Sequence, residues 1–532
     1  MTTLQNSSAP LADDIVDVVI VGYGPVGATL AVLLAQRGWR VVVLERWGQP
    51  YPLPRAVHFD HEAGRILQSC GIADAVAAIT EPVEVYEFQN AERRPLLRFG
   101  RVGQGLSGWP QSSMFSQPDL ETVLFARVAE LPSIETRRGV QVVALDDDGT
   151  AVTVRSEHVE LETDQSGRRG VRVVGPAAPV RARYVVGCDG ANSTVRTSLG
   201  VEMIDRAFFY DWLIVDVIFH EPRVFDPLNV QVCDPARPTT CVSGGPGRRR
   251  WEFMALQGET AEQLNDEATA WRLLEPWDAT PQNARLERHA VYRFQARWVH
   301  EWRKGRVLLA GDAAHQTPPF AGQGLCAGLR DAANVAWKLD LVLGGTAPEA
   351  LLDTYGPERA PNMQAVIELA IDMGKLICAS DPEEVSGRDE MFLAGFDGNL
   401  TDIPPFPGIS DGIVLSGSPH AGELFLQAEV ECGGARVRFD DAVGAGWRLV
   451  TNEPVSLEAD VAEWFAGIDG AVVPVGGPGG VDDIDGAYGR WFAEHGVVAV
   501  VQRPDFVIFG TSKELSEVSG LIDSLRRALN GD

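Results

Sequence analysis

Gly22, Gly24 and Gly27 stand where a β-branched run at 17–21 gives way to a small-residue helix at 28–37. Glycines at this spacing can hold a dinucleotide. The first permits a tight turn, the second lets backbone approach a pyrophosphate, and the third lets helix and strand pack closely. Pro25 and Val26 fall inside the triplet and belong to the same cradle, where the helix N-terminus offers free N–H groups and a partial positive charge. The next strand, 40–44, ends in Glu45, placed to accept hydrogen bonds from an adenosine ribose. An acid there disfavours a 2′-phosphate, so the expected ligand is FAD or NAD rather than NADP. Arg46 either stacks beside the adenine or is a solvated charge. A glycine triplet alone says little; with a strand before it, a helix after it and the acid, it is specific.

Two later stretches carry chemistry of the same kind. A β-branched segment around 184–187 leads into Cys188-Asp189-Gly190 and on to Arg196, and Val307-Leu308-Leu309-Ala310 leads into Gly311-Asp312. Asp-Gly by itself is a common turn pair. Asp312, at a strand end, can hold a hydroxyl of a sugar chain. Pro319, Gly322, Gly324 and Leu325 follow where a helix can start, and backbone N–H groups at a helix start are free to meet an anion.

In this order the three motifs resemble those of the group A flavoprotein monooxygenases, the FAD-dependent aromatic hydroxylases. The run 318–334 resembles 3-(3-hydroxyphenyl)propionate hydroxylases in particular, with phenol, resorcinol and polyketide hydroxylases as neighbours. The resemblance implies bound FAD, NADH or NADPH as co-substrate, and dioxygen activated at flavin C4a to hydroxylate a phenolic ring. It places Asp189 and Arg196 near the pyrophosphate, Arg55 on the isoalloxazine side and Gln117 toward the ribityl chain or phosphates. A polycyclic natural product as substrate, or a Baeyer–Villiger insertion, would use the same motifs; a flavoprotein that only senses is the remaining class. Phenolate is a better nucleophile than phenol, so an acceptor near the hydroxyl is expected. His58 and Asp60 are the candidates for it, each equally able to serve a loop hydrogen bond. Arg248, Arg249 and Arg250 are available to a substrate carboxylate, or form a solvated turn.

These residues need a large scaffold, and 532 residues supply two or three domains. The expected fold is α/β: a discontinuous Rossmann-type FAD domain (15–200 and 298–379), a mixed-sheet substrate domain (201–297), a linker (380–419) and a thioredoxin-like C-terminal domain (420–532), after a disordered tail at 1–14. The last domain has no Cys-x-x-Cys, so docking or dimer stabilisation is its expected role. Members of the group often pair as homodimers, and nothing in the sequence locates an interface.

The formal net charge of −28 disfavours nucleic acid and anionic membranes as partners. Uncharged 18–36 is long enough to span a membrane, but its Gly-rich turn reads as strand, turn and helix instead. Seven scattered cysteines form no metal-binding spacing and suit a reducing cytoplasm. No metal site is expected.

Overall fold

The computed structural model describes residues 15–50, 55–163, 169–402, 406–477 and 479–531; the start read as a tail lies outside them. Val16–Val21 is the centre of a parallel core in the order Ile134–Arg138, Val41–Glu45, Val16–Val21, Val180–Gly187, Val307–Leu309. Val18, Val19 and Ile20 are fully buried, the pattern of a parallel strand covered on both faces. Each such side chain contributes about 1.5–3 kcal/mol by leaving water. Helix Pro25–Ala35 packs on helix Gly324–Leu343, bringing the first and third motifs together. Antiparallel strands Val140–Asp147, Val152–Thr163 and Arg169–Pro176 extend the sheet.

A second sheet of nine strands is built around the long antiparallel pair Met203–Phe219 and Ala284–Val299. It draws on more chain than 201–297. Val85–Gln89 and Pro95–Gly100, which the sequence reading left in the FAD domain, extend this sheet through parallel pairing of Val85–Gln89 with Asn229–Val232. The physical reason is a shared apolar layer: Phe88 and Leu96 pack in one cluster with Trp212, Ile214 and Phe320.

The stretch read as a linker also departs from expectation. It carries a helix, Pro382–Gly395, whose N-cap Asp381 accepts from the backbone of Glu383 and Glu384, with proline at the first turn. Proline and acidic residues there are helix-start signals rather than loop signals. Thr401–Asp402 then adds the outermost strand of the second sheet.

The C-terminal segment forms a four-stranded mixed sheet in the order Gly470–Pro474, Trp447–Thr451, Ala499–Gln502, Ile508–Ser512, with helices Ala459–Gly467, Ala487–His495 and Val518–Asn530. It is joined to the rest by buried charge. Arg503 donates to Glu358 at 2.7 Å and to both oxygens of Asp505, while Lys338 pairs with Glu358 at 2.9 Å. Trp337 and Asn334 donate to the same Asp505. Nearby, Arg65 grips Asp440 through two bonds of 2.6 and 2.8 Å. Burial alone would raise the Glu358 pKa, but Arg503 and Lys338 outweigh it and hold the carboxyl at about 2. Among the described residues no helix is long and apolar enough to cross a membrane.

Candidate active site

One cavity of about 1080 Å³ runs from the glycine turn to the underside of the second sheet. Its nucleotide end is mostly backbone. Gly22 has φ +106°, and a Cβ there would sit 2.3 Å from the carbonyl oxygen of Cys188, so the two crossing loops touch only because the side chain is missing. At Gly24 an added Cβ meets nothing within 4 Å; the space in front of it is open for a ligand. Pro25 and Val26 continue this wall, with Pro25 in the first turn of its helix. Gly27 is off the wall: its Cβ would strike the Gly22 carbonyl at 2.2 Å, so it serves packing, as its place in the triplet predicts.

Glu45 faces the cavity while its two oxygens accept from the N–H groups of Tyr23 and Trp47, both at 2.8 Å. Each carboxylate oxygen retains a second lone pair for a ribose hydroxyl. Arg46 also lines this end, its guanidinium over the Trp47 ring. Asp189 lines the wall and caps helix Thr194–Leu199, accepting from the backbone of Thr194 at 2.7 Å and of Val195 at 3.1 Å. Arg196 is off the wall and bonds the carbonyls of Ala313 and Ala191 instead.

In the middle, Arg55, Gln117 and Asp312 converge on the cavity. Gln117 is held at both ends, accepting from Ala56 N at 2.9 Å and donating to Glu121 at 2.7 Å. Enclosure raises the Asp312 pKa, with His315 and Arg55 pulling it back. Pro319, Gly322, Gly324 and Leu325 form the opposite wall, at the start of helix Gly324–Leu343. Gly311 is behind the wall; its N–H donates to Asp331, which also binds His315 at 2.6 Å and Arg359 at 2.9 Å. Asp331 thereby fixes the turn that carries Asp312.

The two proposed acceptors come out differently. Asp60 does not reach the cavity. Its carboxylate caps helix His61–Ser69 through Ala63 N and binds Arg330 at 2.6 Å. Burial would raise its pKa, yet Arg330 holds it well below the usual carboxylate range. It is a structural anion. His58 does line the cavity, but both ring nitrogens are taken: Nδ1 lies 3.0 Å from the Gly322 carbonyl and Nε2 lies 2.8 Å from Arg101. Arginine only donates, so Nε2 must accept and Nδ1–H must donate, which fixes a neutral ring. Burial and the Arg101 charge lower its pKa to about 4. No lone pair is left to take a substrate proton.

The far end is lined by Phe99, Tyr292, Phe294, Phe320, Met114 and Met373, with Tyr86, Arg101 and Glu252 set among them. Burial raises the pKa of Tyr86 and of Glu252, Arg250 partly offsetting it for Glu252. Sequence reasoning missed all three. The alternation around Tyr86 was the available signal; nothing local marks Arg101 or Glu252. Of the arginine trio, Arg250 is tied to buried Asp216 at 2.7 Å, Arg249 bonds Cys241, and Arg248 pairs with Asp119 and Glu287, so they are neither free for a carboxylate nor a solvated turn.

A dinucleotide cradle, an acid at the second strand end and an aromatic chamber under a separate sheet define a flavoprotein of the oxygenase type. Residues 15–370 match the family of the FAD binding domain, and 422–528 match the HcaD C-terminal domain. The chain belongs to this family of FAD-dependent aromatic hydroxylases. It is 38% identical to a probable NADH-specific resorcinol 4-hydroxylase of Rhodococcus jostii (strain RHA1), covering 97% of this chain and 95% of that protein. It is 34% identical to a 3-(3-hydroxy-phenyl)propionate/3-hydroxycinnamic acid hydroxylase of Mycobacterium sp. (strain JLS), covering 93% and 89%. Among solved structures, the anhydrotetracycline hydroxylase OxyS of Streptomyces rimosus superposes with a TM-score of 0.73 at 26% identity, covering 98% and 100%. The flavin-dependent monooxygenase PieE shares the fold at 0.79 and 24%, covering 97% and 99%.

Proposed function

We propose that this chain hydroxylates a small phenolic ring, using NADH and dioxygen through bound FAD, with resorcinol or 3-(3-hydroxyphenyl)propionate as the substrate type. The observation that carries the reading is the single cavity linking the glycine cradle to a chamber of aromatic side chains that also holds a carboxyl group. NADH over NADPH follows the NADH specificity for which the Rhodococcus relative is named.

In this reading Gly22, Gly24, Pro25 and Val26 receive the pyrophosphate, with Asp189 facing it across the crossing loop. Glu45 takes the ribose and Arg46 flanks the adenine. Gln117 and Asp312 hold the ribityl chain, and Arg55 faces the isoalloxazine. Pro319, Gly322, Gly324 and Leu325 meet the pyrimidine edge, while Gly27 and Gly311 act through packing. The residues fit the group: the cradle in front of Gly24 is open and the helix start supplies N–H donors. Bound FAD supplies hydride acceptance and oxygen activation. Glu252 receives the phenolic proton, and the enclosing aromatic side chains keep water from the reacting ring.

The C-terminal sheet and its flanking helices support a thioredoxin-like assignment, with a docking role. Domain limits fall near 200, 298 and 420, with Val85–Gln89, Pro95–Gly100 and Thr401–Asp402 counted in the substrate sheet, and the chain pairs as a homodimer. Its setting is a reducing cytoplasm, which the seven unpaired cysteines suit.

The test is oxidation of NADH and NADPH by the FAD-loaded protein with each phenol, quantifying peroxide and product. One added hydroxyl coupled to NADH use supports the proposal. A lactone, or peroxide alone with both phenols, overturns it. The likeness to OxyS makes a polycyclic phenol the second substrate to try.

A further inference from the structure

The geometry points to Arg101 as the receptor for an oxyanion on the substrate, and to the chain Arg101–His58–Gly322 as the tie between that receptor and the flavin-facing loop. This rests on the phenolic reading above and names the group that recognises the substrate.

Arg101 follows strand Pro95–Gly100 and lines the cavity. Its neighbours in the wall have partners: Arg250 and Arg288 share Asp216, and Arg293 pairs with Asp211 through two bonds. The Arg101 side chain forms no ion pair with a carboxylate among the described residues, and its one hydrogen bond among them is to His58 Nε2. Its Nε is buried with no hydrogen-bond partner among the described residues. A guanidinium carries five donors, so most of its bonding capacity is unspent. The charge of Asp60 reaches it, but that carboxylate is bonded to Arg330 and to Ala63 N, and a largely buried cation with no anion bonded to it is costly unless a ligand completes it.

The other groups around it leave that place to a ligand. His58 is neutral and offers only one lone pair, already used. Tyr86, Arg101 and Glu252 line the same cavity. A phenol entering there gives its O–H proton to the Glu252 carboxylate and leaves its oxygen negative beside Arg101, so charge and protons balance. A carboxylate tail would meet the same receptor without a proton transfer. Because His58 Nδ1–H donates to the carbonyl of Gly322, a shift of Arg101 toward an anion is passed to the turn that starts helix Gly324–Leu343.

The probe is 4-nitrophenol, yellow only when ionised, titrated into the FAD-loaded protein and followed by difference spectra across pH. Wild type should bind it ionised below the pH at which the free phenol ionises, and Arg101→Gln should raise that midpoint by about one unit, a tenfold change in the ionisation constant, with Arg101→Lys recovering part. An unchanged midpoint in Arg101→Gln overturns the inference, as does the absence of an ionised bound form in wild type. Should Arg101→Gln not retain flavin, the neutral Arg101→Met decides: a midpoint equal to wild type is again the overturning result.

Turnover separates the sources of the anion. A rise in KM with both resorcinol and 3-(3-hydroxyphenyl)propionate assigns Arg101 to the phenolate, and a rise with the second alone assigns it to the carboxylate. If wild type binds nitrophenolate through Arg101 yet hydroxylates neither phenol, the proposed reaction falls and the receptor stands. If wild type hydroxylates both and Arg101→Gln is indifferent, only the receptor falls.

Discussion

The two ends of the cavity are made in different ways. At the nucleotide end, short-range sequence does the work: a turn, a helix start and one acid within about one βαβ unit place backbone groups around the ligand. At the substrate end, Tyr86 and Arg101 come from one antiparallel strand pair and its exit while Glu252 comes from a strand far along the sequence, and side chains rather than backbone face the ligand. The difference teaches that affinity for the cofactor depends on what is absent at glycines, whereas specificity depends on which charges are left unpaired.

Gly22→Ala attacks the first half directly and should have the largest effect. The left-handed backbone and a Cβ 2.3 Å from Cys188 O cannot both be accommodated. Strain of about 1–3 kcal/mol, before the clash, weakens FAD about 10–100-fold. Flavin content after purification and a fluorescence titration with FAD check this. Retention of wild-type affinity would remove the backbone account of this end.

Glu252→Gln probes the other half alone. FAD affinity should be unchanged while kcat falls about 100-fold and the acidic limb of the pH–rate profile disappears. Equal loss of FAD would show that the two ends are not separable.

Helix Gly324–Leu343 belongs to both halves, and pH tests its anchoring. The Glu358 carboxyl is held at about 2 against an ordinary 4.5, so its stabilisation is full above 4.5 and is lost as pH falls from there through 2. Melting temperature should drop over this window in wild type and drop less steeply in Glu358→Gln, which begins from a lower value. Parallel curves would overturn that account.

The smallest effect is expected from His58→Gln, because one hydrogen-bonded link contributes about 0.5–1.5 kcal/mol. KM for the phenol should rise roughly 2–10-fold. The pH–rate profile between 5 and 8 should keep its shape, since the ring does not titrate there. A lost basic or acidic limb would restore His58 as a proton acceptor.

The same contrast explains what the sequence disclosed. Gly22, Glu45, Asp189 and Asp312 stand out in the sequence because each sits at a fixed offset from a strand end, and all four line the cavity. Asp60 was misjudged because proximity in sequence to Arg55 says nothing of direction: its side chain turns back to cap its own helix. Arg101 carries no local mark, since its meaning arises only when strand Pro95–Gly100 joins a sheet begun over a hundred residues later. The helix at Pro382–Gly395 was hidden by composition, its proline and acids being capping residues as readily as loop residues.

The buried meeting of Arg503 and Asp505 with Asn334, Trp337, Lys338 and Glu358 bears on recombination between relatives. A chimera that exchanges only the C-terminal segment would seat a foreign surface against charges sunk in the partner piece, where one unmatched residue leaves an ion stranded away from water. The unit that can be inherited or swapped intact is therefore the terminal segment together with those four positions and Arg65, whose buried partner Asp440 it carries. Drift on either side of the seam must be answered on the other.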